Sequence, residues 1–232
     1  MRATSWRLWV SALALVVILV EGVLIAVHAN PFASPDRSAN HWVVDHRSAG
    51  MNSFANLLTD VFSPGAIVVI TFAVAALFCW RDRALKRGVT VLGAVTVSSA
   101  LCEVLKLSVD RPRPPAWTQL SPEASQSYPS GHVSGTTALV LIVALSLTAG
   151  VANRLWRWAA VVAAALIAIV VATSRVYAGA HWPSDVVAGL LVGVIGVLVA
   201  PVVVDAVWPV LLRHAPAGVG RWLELPEAKP SH

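Results

Sequence analysis

Six apolar runs divide the chain. They cover roughly residues 8–27, 63–80, 89–107, 131–150, 155–171 and 185–204, and each is close to the about 20 helical residues that cross a bilayer. None alternates with period two over several strands, which speaks against a transmembrane barrel. The pattern predicts an all-α integral membrane bundle of six transmembrane helices, forming a single domain over residues 1–232. Between the first two runs the pattern changes. Within 41–62, Met51, Phe54, Leu58 and Val61 recur at three- and four-residue intervals, as on an amphipathic helix lying at a membrane surface. A structural cover on the bundle top is the expected role, and a wall of a lipid entrance is the alternative. The stretch 213–232, with Pro216, Pro226 and Pro230, reads as an extended cytoplasmic tail.

Composition supports the membrane reading. The chain is 57% hydrophobic and only 12% charged, whereas soluble domains carry about 25% charged residues. Its net charge of +5 fits loops that meet anionic lipid headgroups. No nucleic-acid motif appears, so no nucleic-acid partner is expected. Cys79 and Cys102 sit inside apolar runs near opposite membrane faces. That separation predicts free thiols packed as small apolar groups.

Basic residues set the orientation. With the amino terminus inside, the cytoplasmic segments hold eleven Lys and Arg residues and the outer segments six. Both termini are therefore expected in the cytoplasm. Trp6, Trp9, Trp80, Trp156, Trp158 and Trp208 fall at the inner boundary, and Trp42, Trp117 and Trp182 at the outer one, as interfacial aromatic rings prefer. Val27-His28-Ala29 resembles a signal-peptidase site, but the preceding run is long for a leader and Glu21 interrupts it. A retained anchor is expected.

Three polar clusters face the outer side. Lys106, Arg111 and Arg113 leave the third run, Tyr128-Pro129-Ser130-Gly131-His132 opens the fourth, and Arg175 to Asp185 opens the sixth. His181 and Asp185 are four apart, so on one helical turn they would share a face. A histidine oriented by a carboxylate can attack phosphorus. Lys106, Arg113 and Arg175 can surround phosphoryl oxygens. Ser130 reads as a helix cap, and Gly131 allows close backbone approach. His132 can protonate a leaving alcohol, an effect worth roughly 10²- to 10⁴-fold. Oxygen-rich carboxylate clusters for Mg²⁺ or Ca²⁺ are missing, so the cations would stabilise charge in a metal's place.

Lys106-x6-Arg113-Pro114, Pro129-Ser130-Gly131-His132 and Ser174-Arg175-x5-His181-x3-Asp185 resemble the three-part signature of the type 2 phosphatidic acid phosphatase superfamily. That group includes membrane lipid phosphatases, soluble bacterial acid phosphatases and vanadium haloperoxidases. The resemblance implies a phosphatase working without a metal or other cofactor. His181 would be the nucleophile, Asp185 its orienting partner and His132 the general acid. Lys106, Arg113, Ser130, Gly131 and Arg175 would bind phosphate. Arg111 repeats an Arg-Pro pair two residues early and ranks as auxiliary, as does Tyr128. The implied substrate is a lipid phosphate or diphosphate: a polyprenyl diphosphate, phosphatidylglycerophosphate or phosphatidic acid. Partners beyond membrane lipids, and any oligomeric state, are left open. A catalytically silent lipid-phosphate binding or transport subunit is the alternative.

Other polar residues carry simpler expectations. Glu103 stands three residues before Lys106, so a helix-surface ion pair is expected. His28, His41 and His46 have no ligand spacing and read as solvated. Tyr128 and Tyr177 either line the phosphate pocket or pack at helix ends.

Overall fold

The computed structural model describes residues 2–214, so the expected tail beyond His214 lies outside the described residues. Eight α-helices run in order: α1 (Arg2–Ala26), α2 (Ala33–Asp45), α3 (Ala49–Val61), α4 (Pro64–Asp82), α5 (Lys86–Val109), α6 (Gly131–Thr148), α7 (Arg154–Tyr177) and α8 (Pro183–His214). A single 3₁₀ turn, Ala116–Thr118, interrupts the α5–α6 connection. Six helices are long and apolar enough to cross a membrane: α1 from Ser5, α4, α5, α6, α7 and α8. The expected runs and these helices coincide in place but not in length. α7 continues past residue 171 to Tyr177, which puts Arg175 on its last turn. α8 continues past residue 204 to His214, despite Pro201 and Pro209 in its interior. The cysteines are free.

The outer surface of the bundle is greasy. Leu13, Val69, Phe72, Leu107 and Leu155 are all exposed, the arrangement expected when hydrocarbon is the solvent. Inside, small residues let the backbones approach. α8 is the central helix, packed on α1, α5, α6 and α7. A Cβ on Gly193 would come within 2.5 Å of Thr137 Cβ on α6, and one on Gly196 within 2.4 Å of the Ala94 carbonyl oxygen on α5. Any larger residue at either place would force the helices apart. Ile67, Phe78, Val91, Leu139 and Val197 form one apolar core, and Ile18, Cys102, Leu105, Val192 and Ile195 form another.

Two helices cover the end of the bundle where α6 and α8 begin. α3 is the expected amphipathic helix, with Ser48 at its start accepting a hydrogen bond from the Met51 N–H. α2 is polar on average, so no apolar run announces it in the sequence. The apolar side chains Met51, Phe54 and Val61 are exposed while Ala55 is buried, as on a helix that meets lipid headgroups. Arg47, just before α3, donates to the carbonyls of Tyr177 at 2.8 Å and Thr118 at 2.6 Å. The Tyr177 hydroxyl lies 2.9 Å from Asn52 Oδ1. Tyr177 therefore fastens α3 to the end of α7.

Candidate active site

The start of α8 supplies two of the residues singled out. Pro183 opens the helix, where its missing N–H costs nothing. Asp185, in the first turn, reaches back so that Oδ2 accepts the Trp182 N–H at 2.9 Å, half of a capping box. His181 precedes the helix, so the expected shared helical face is replaced by this cap geometry. The ring of His181 is buried, and Nδ1 lies 2.8 Å from the carbonyl oxygen of Ser127 and 3.6 Å from Asp185 Oδ2. A carbonyl oxygen only accepts, so Nδ1 carries the proton. On the other side, Nε2 meets Arg113 Nη1 at 3.2 Å, and a guanidinium only donates. Nε2 therefore carries the ring's lone pair, which accepts from Arg113 at the edge of the cavity. Burial pushes the His181 pKa below the ordinary imidazole value; Asp185 opposes that shift and Arg113 adds to it.

The turn before His181 is shaped for close packing. Gly179 has φ +68°, and a Cβ there would lie 2.0 Å from the Thr118 carbonyl oxygen. The α5–α6 connection can thus lie against this turn, with the Leu120 N–H donating to the Ala178 carbonyl at 2.8 Å.

That connection carries most of the charge. Arg111 and Arg113 do different work although they are two residues apart. Arg111 is buried and engaged on both terminal nitrogens: Nη1 donates to Asp185 Oδ1 at 2.5 Å and to Ser184 Oγ at 2.7 Å, and Nη2 to Asp36 Oδ2 at 2.6 Å. It braces Asp185 against Asp36 and does not border the His181 cavity. Asp185 Oδ2 takes a further hydrogen bond of 2.5 Å from the Ser127 hydroxyl. Arg113 instead borders the cavity. It donates to the Ser125 carbonyl at 2.6 Å and the Ala180 carbonyl at 2.7 Å, and pairs with Glu123 at 2.8 Å. Burial lowers the Arg113 pKa, while the neighbouring Glu123 charge raises it. Arg175 donates to Thr59 Oγ1 at 2.5 Å and pairs with the other oxygen of Glu123. Burial alone would push the Glu123 carboxyl up, but Arg175 and Arg113 outweigh it and hold the group below the ordinary carboxylate range. Lys106 lies 3.3 Å from Ser125 Oγ. The expected Glu103–Lys106 ion pair does not form, because Lys106 turns inward and Glu103 is exposed.

The start of α6 supplies the rest. Ser130 occupies the N-cap position, yet its hydroxyl makes no cap hydrogen bond. Its backbone N–H is engaged instead, donating to the Asp185 carbonyl at 3.1 Å. Around this site, the buried atoms Ser130 Oγ and Arg175 Nε find no partner among the described residues. Tyr128 turns the other way. Its hydroxyl donates to the Ile18 carbonyl on α1 at 2.9 Å and lies 3.3 Å from Glu21, so its role is packing rather than lining. Burial raises its pKa far from ionisation.

His132, His181, Lys106, Arg113, Gly131 and Glu123 border one cavity of about 240 Å³. Ser130 and Arg175 lie behind that wall. The His132 ring forms no hydrogen bond with the described residues. Val68, Ser99 and Glu103 belong both to this cavity and to an apolar groove of about 330 Å³ between α4 and α5. Among the described residues there is no group of three His, Cys, Asp or Glu side chains placed to hold a metal.

Sequence reasoning missed Asp36, Glu123, Ser125 and Ser127. Glu123 had a signal: it is the one carboxylate in the polar connection between the first two motifs. Asp36 had only an indirect one, since a buried arginine such as Arg111 requires carboxylates from somewhere.

A family profile, the PAP2 superfamily, matches residues 87–209. The chain belongs to the PAP2 superfamily. This PAP2 chain is 32% identical over 127 residues to an undecaprenyl-diphosphatase of Sulfolobus acidocaldarius, a match covering 52% of this chain and 56% of that relative. The matched segment thus spans little more than half of the archaeal protein. Phosphatidylglycerophosphatase B of Bacillus subtilis is 27% identical over 172 residues, covering 73% of this chain and 83% of its own. Among solved structures, the transmembrane PAP2-type phosphatidylglycerolphosphate phosphatase from Bacillus subtilis superposes with a TM-score of 0.76 at 22% identity, covering 85% of this chain and 96% of that one. That likeness concerns the fold.

Proposed function

We propose that this PAP2 chain is a membrane lipid phosphatase that hydrolyses a terminal phosphate or diphosphate through a phosphohistidine. One observation carries the reading. A neutral imidazole whose lone pair accepts from Arg113 borders a small cationic cavity that shares its wall with an apolar groove. The cavity suits a phosphoryl group, and the groove between α4 and α5 suits the chain of a lipid.

The chemistry follows from the donors present. Arg113, Arg175 and Lys106 hold the phosphoryl oxygens, with Ser130 Oγ and Arg175 Nε as further unused donors. The Glu123 carboxylate now bridges Arg113 and Arg175, and the substrate's oxygens take its place. With Arg113 Nη1 turned from Nε2 to the phosphoryl oxygens, His181 Nε2 attacks phosphorus, and the P–N bond forms as the bond to the lipid oxygen breaks. His132 gives that oxygen its proton. Water then attacks the phosphohistidine and loses a proton to His132. The P–N bond breaks, inorganic phosphate leaves, and the Nε2 lone pair returns. Growing charge on the transferring group is met by fixed cations in a site shielded from water.

In this reading the site opens to the outer leaflet and both termini are cytoplasmic, supported by the charge asymmetry of the loops. The names of the relatives suggest a polyprenyl diphosphate or phosphatidylglycerophosphate as substrate. Phosphate release from these lipids and from phosphatidic acid, in detergent with EDTA, tests the activity. His181→Ala must abolish it. A His181→Ala protein that turns over at the parent rate would overturn the nucleophile. A cysteine placed beside Trp117, labelled in intact cells by an impermeant reagent, tests the orientation.

A further inference from the structure

A cavity much larger than the one beside His181 lies at the opposite end of the bundle. It encloses about 920 Å³ where α1 and α5 begin, α6 ends and α7 begins, with the middle of α8 behind. This is the upper part of the size range of ligand pockets, about 300–1,000 Å³. Its two ends differ chemically. Arg7, Lys86, Arg87, Arg154 and Arg157 border it. Ile142, Leu145, Val161, Val197 and Leu198 also line it and give it an apolar interior.

Among the described residues these charges are not all paired. Lys86 pairs with Asp205 at 2.7 Å, and Arg87 with Asp82 at 3.0 Å. Arg7 lies over the Trp6 ring, 5.9 Å from its centre. Arg154 and Arg157 have no carboxylate partner among the described residues. An excess of cations at a cytoplasmic end is ordinary in a membrane protein. Their convergence from three helices on the mouth of one apolar cavity is what calls for an occupant.

We propose that this cavity is a binding site for an anionic membrane phospholipid, with the headgroup phosphate between Arg154 and Arg157 and an acyl chain in the apolar interior. A free phosphate would satisfy the guanidiniums and leave the apolar walls uncovered. A zwitterionic lipid would fill the walls but bring its own cation to a cationic mouth. Trp6 and Trp158 border the same cavity, at the level where indole rings meet headgroups. This site is independent of the phosphatase reading, since none of its residues borders the His181 cavity.

Native mass spectrometry of the full chain in detergent provides the test, with phosphatidylglycerol, phosphatidylcholine and glycerol 3-phosphate as probes. Phosphatidylglycerol is expected to remain bound, and phosphatidylcholine to bind at least about tenfold more weakly. Glycerol 3-phosphate should show no binding that depends on Arg154 and Arg157. The double variant Arg154→Gln/Arg157→Gln should weaken phosphatidylglycerol binding by about tenfold or more. Arg154→Lys/Arg157→Lys should restore most of it. Both arginines are exposed at a helix end, so the fold should tolerate either pair. Comparing the variants with the parent separates this site from any binding at His181. Equal binding of the two lipids, undiminished binding in the Gln variant, or equal arginine-dependent binding of glycerol 3-phosphate would each overturn the proposal.

Discussion

His181 and Ser127 are joined by a hydrogen bond of 2.8 Å from ring Nδ1 to backbone carbonyl oxygen. The tautomer of the proposed nucleophile is therefore held by main chain, while the Asp185 carboxylate stands at 3.6 Å and binds Arg111, Ser127 and Trp182. This division makes a prediction. Asp185→Asn keeps the Ser127 carbonyl in place, so it should lower kcat by about 10- to 100-fold, less than the roughly 10⁴-fold expected where a carboxylate alone fixes the tautomer. His181→Ala should remove turnover altogether. Phosphate-release kinetics on both variants decide the matter, and an Asp185→Asn enzyme as inactive as His181→Ala would contradict it.

Much of this arrangement was readable beforehand, for identifiable reasons. The bundle was legible because hydrocarbon as solvent leaves long uninterrupted apolar runs. The residues around His181 were legible because cations clustered at the ends of apolar segments expected to face outward have no orientational reason to be there. The division of labour between Arg111 and Arg113 was not. Both are Arg-Pro pairs, and only the fold reveals that Asp36, on a helix that is polar on average, pairs with the first. Glu123 was hidden for a similar reason: its partners are 10 and 52 positions away, and no local spacing records such a pairing. The direction of the Tyr128 side chain, toward Ile18 and Glu21, likewise depends on where α1 packs.

The Asp36–Arg111–Asp185 bridge should govern stability more than substrate affinity. Arg111→Ala leaves two buried carboxylates without their cation, a change that typically costs about 3–5 kcal/mol. Asp36→Asn leaves Arg111 one partner and should cost less. A double-mutant cycle between the two should give a coupling of about 1–3 kcal/mol, read from denaturant unfolding in detergent. Additive losses would mean that the two side chains act independently.

Glu123 holds the position between Arg113 and Arg175 where an anion would bind. Glu123→Gln removes a competing charge, so orthophosphate should inhibit the variant about tenfold more strongly than the parent. The same change removes a charge partner from two buried arginines and should lower thermal stability. The gain in inhibition should shrink in acid, where protonation discharges the parent's Glu123 as well. An unchanged inhibition constant at neutral pH would show that the carboxylate does not occupy the phosphate position.

Charge at His181 gives a signed prediction for pH. Burial lowers its pKa, Asp185 raises it and Arg113 lowers it, with a net depression in the folded protein. Neutral imidazole, the form that can attack, is therefore retained below the ordinary value near 6.5, and the acid limb of kcat/KM should fall below that pH. Arg113→Gln removes a lowering charge and should move the limb to higher pH. Asp185→Asn removes a raising charge and should move it to lower pH. Stability carries the same sign. Below pH 6.5 the unfolded chain takes up the His181 proton before the folded one does, so this residue's contribution, fully present above 6.5, is lost as pH falls toward the folded pKa. Opposite displacements of the acid limb in the two variants, measured on the same lipid, would tie the titration to His181. Displacements in the same direction would assign it to another group.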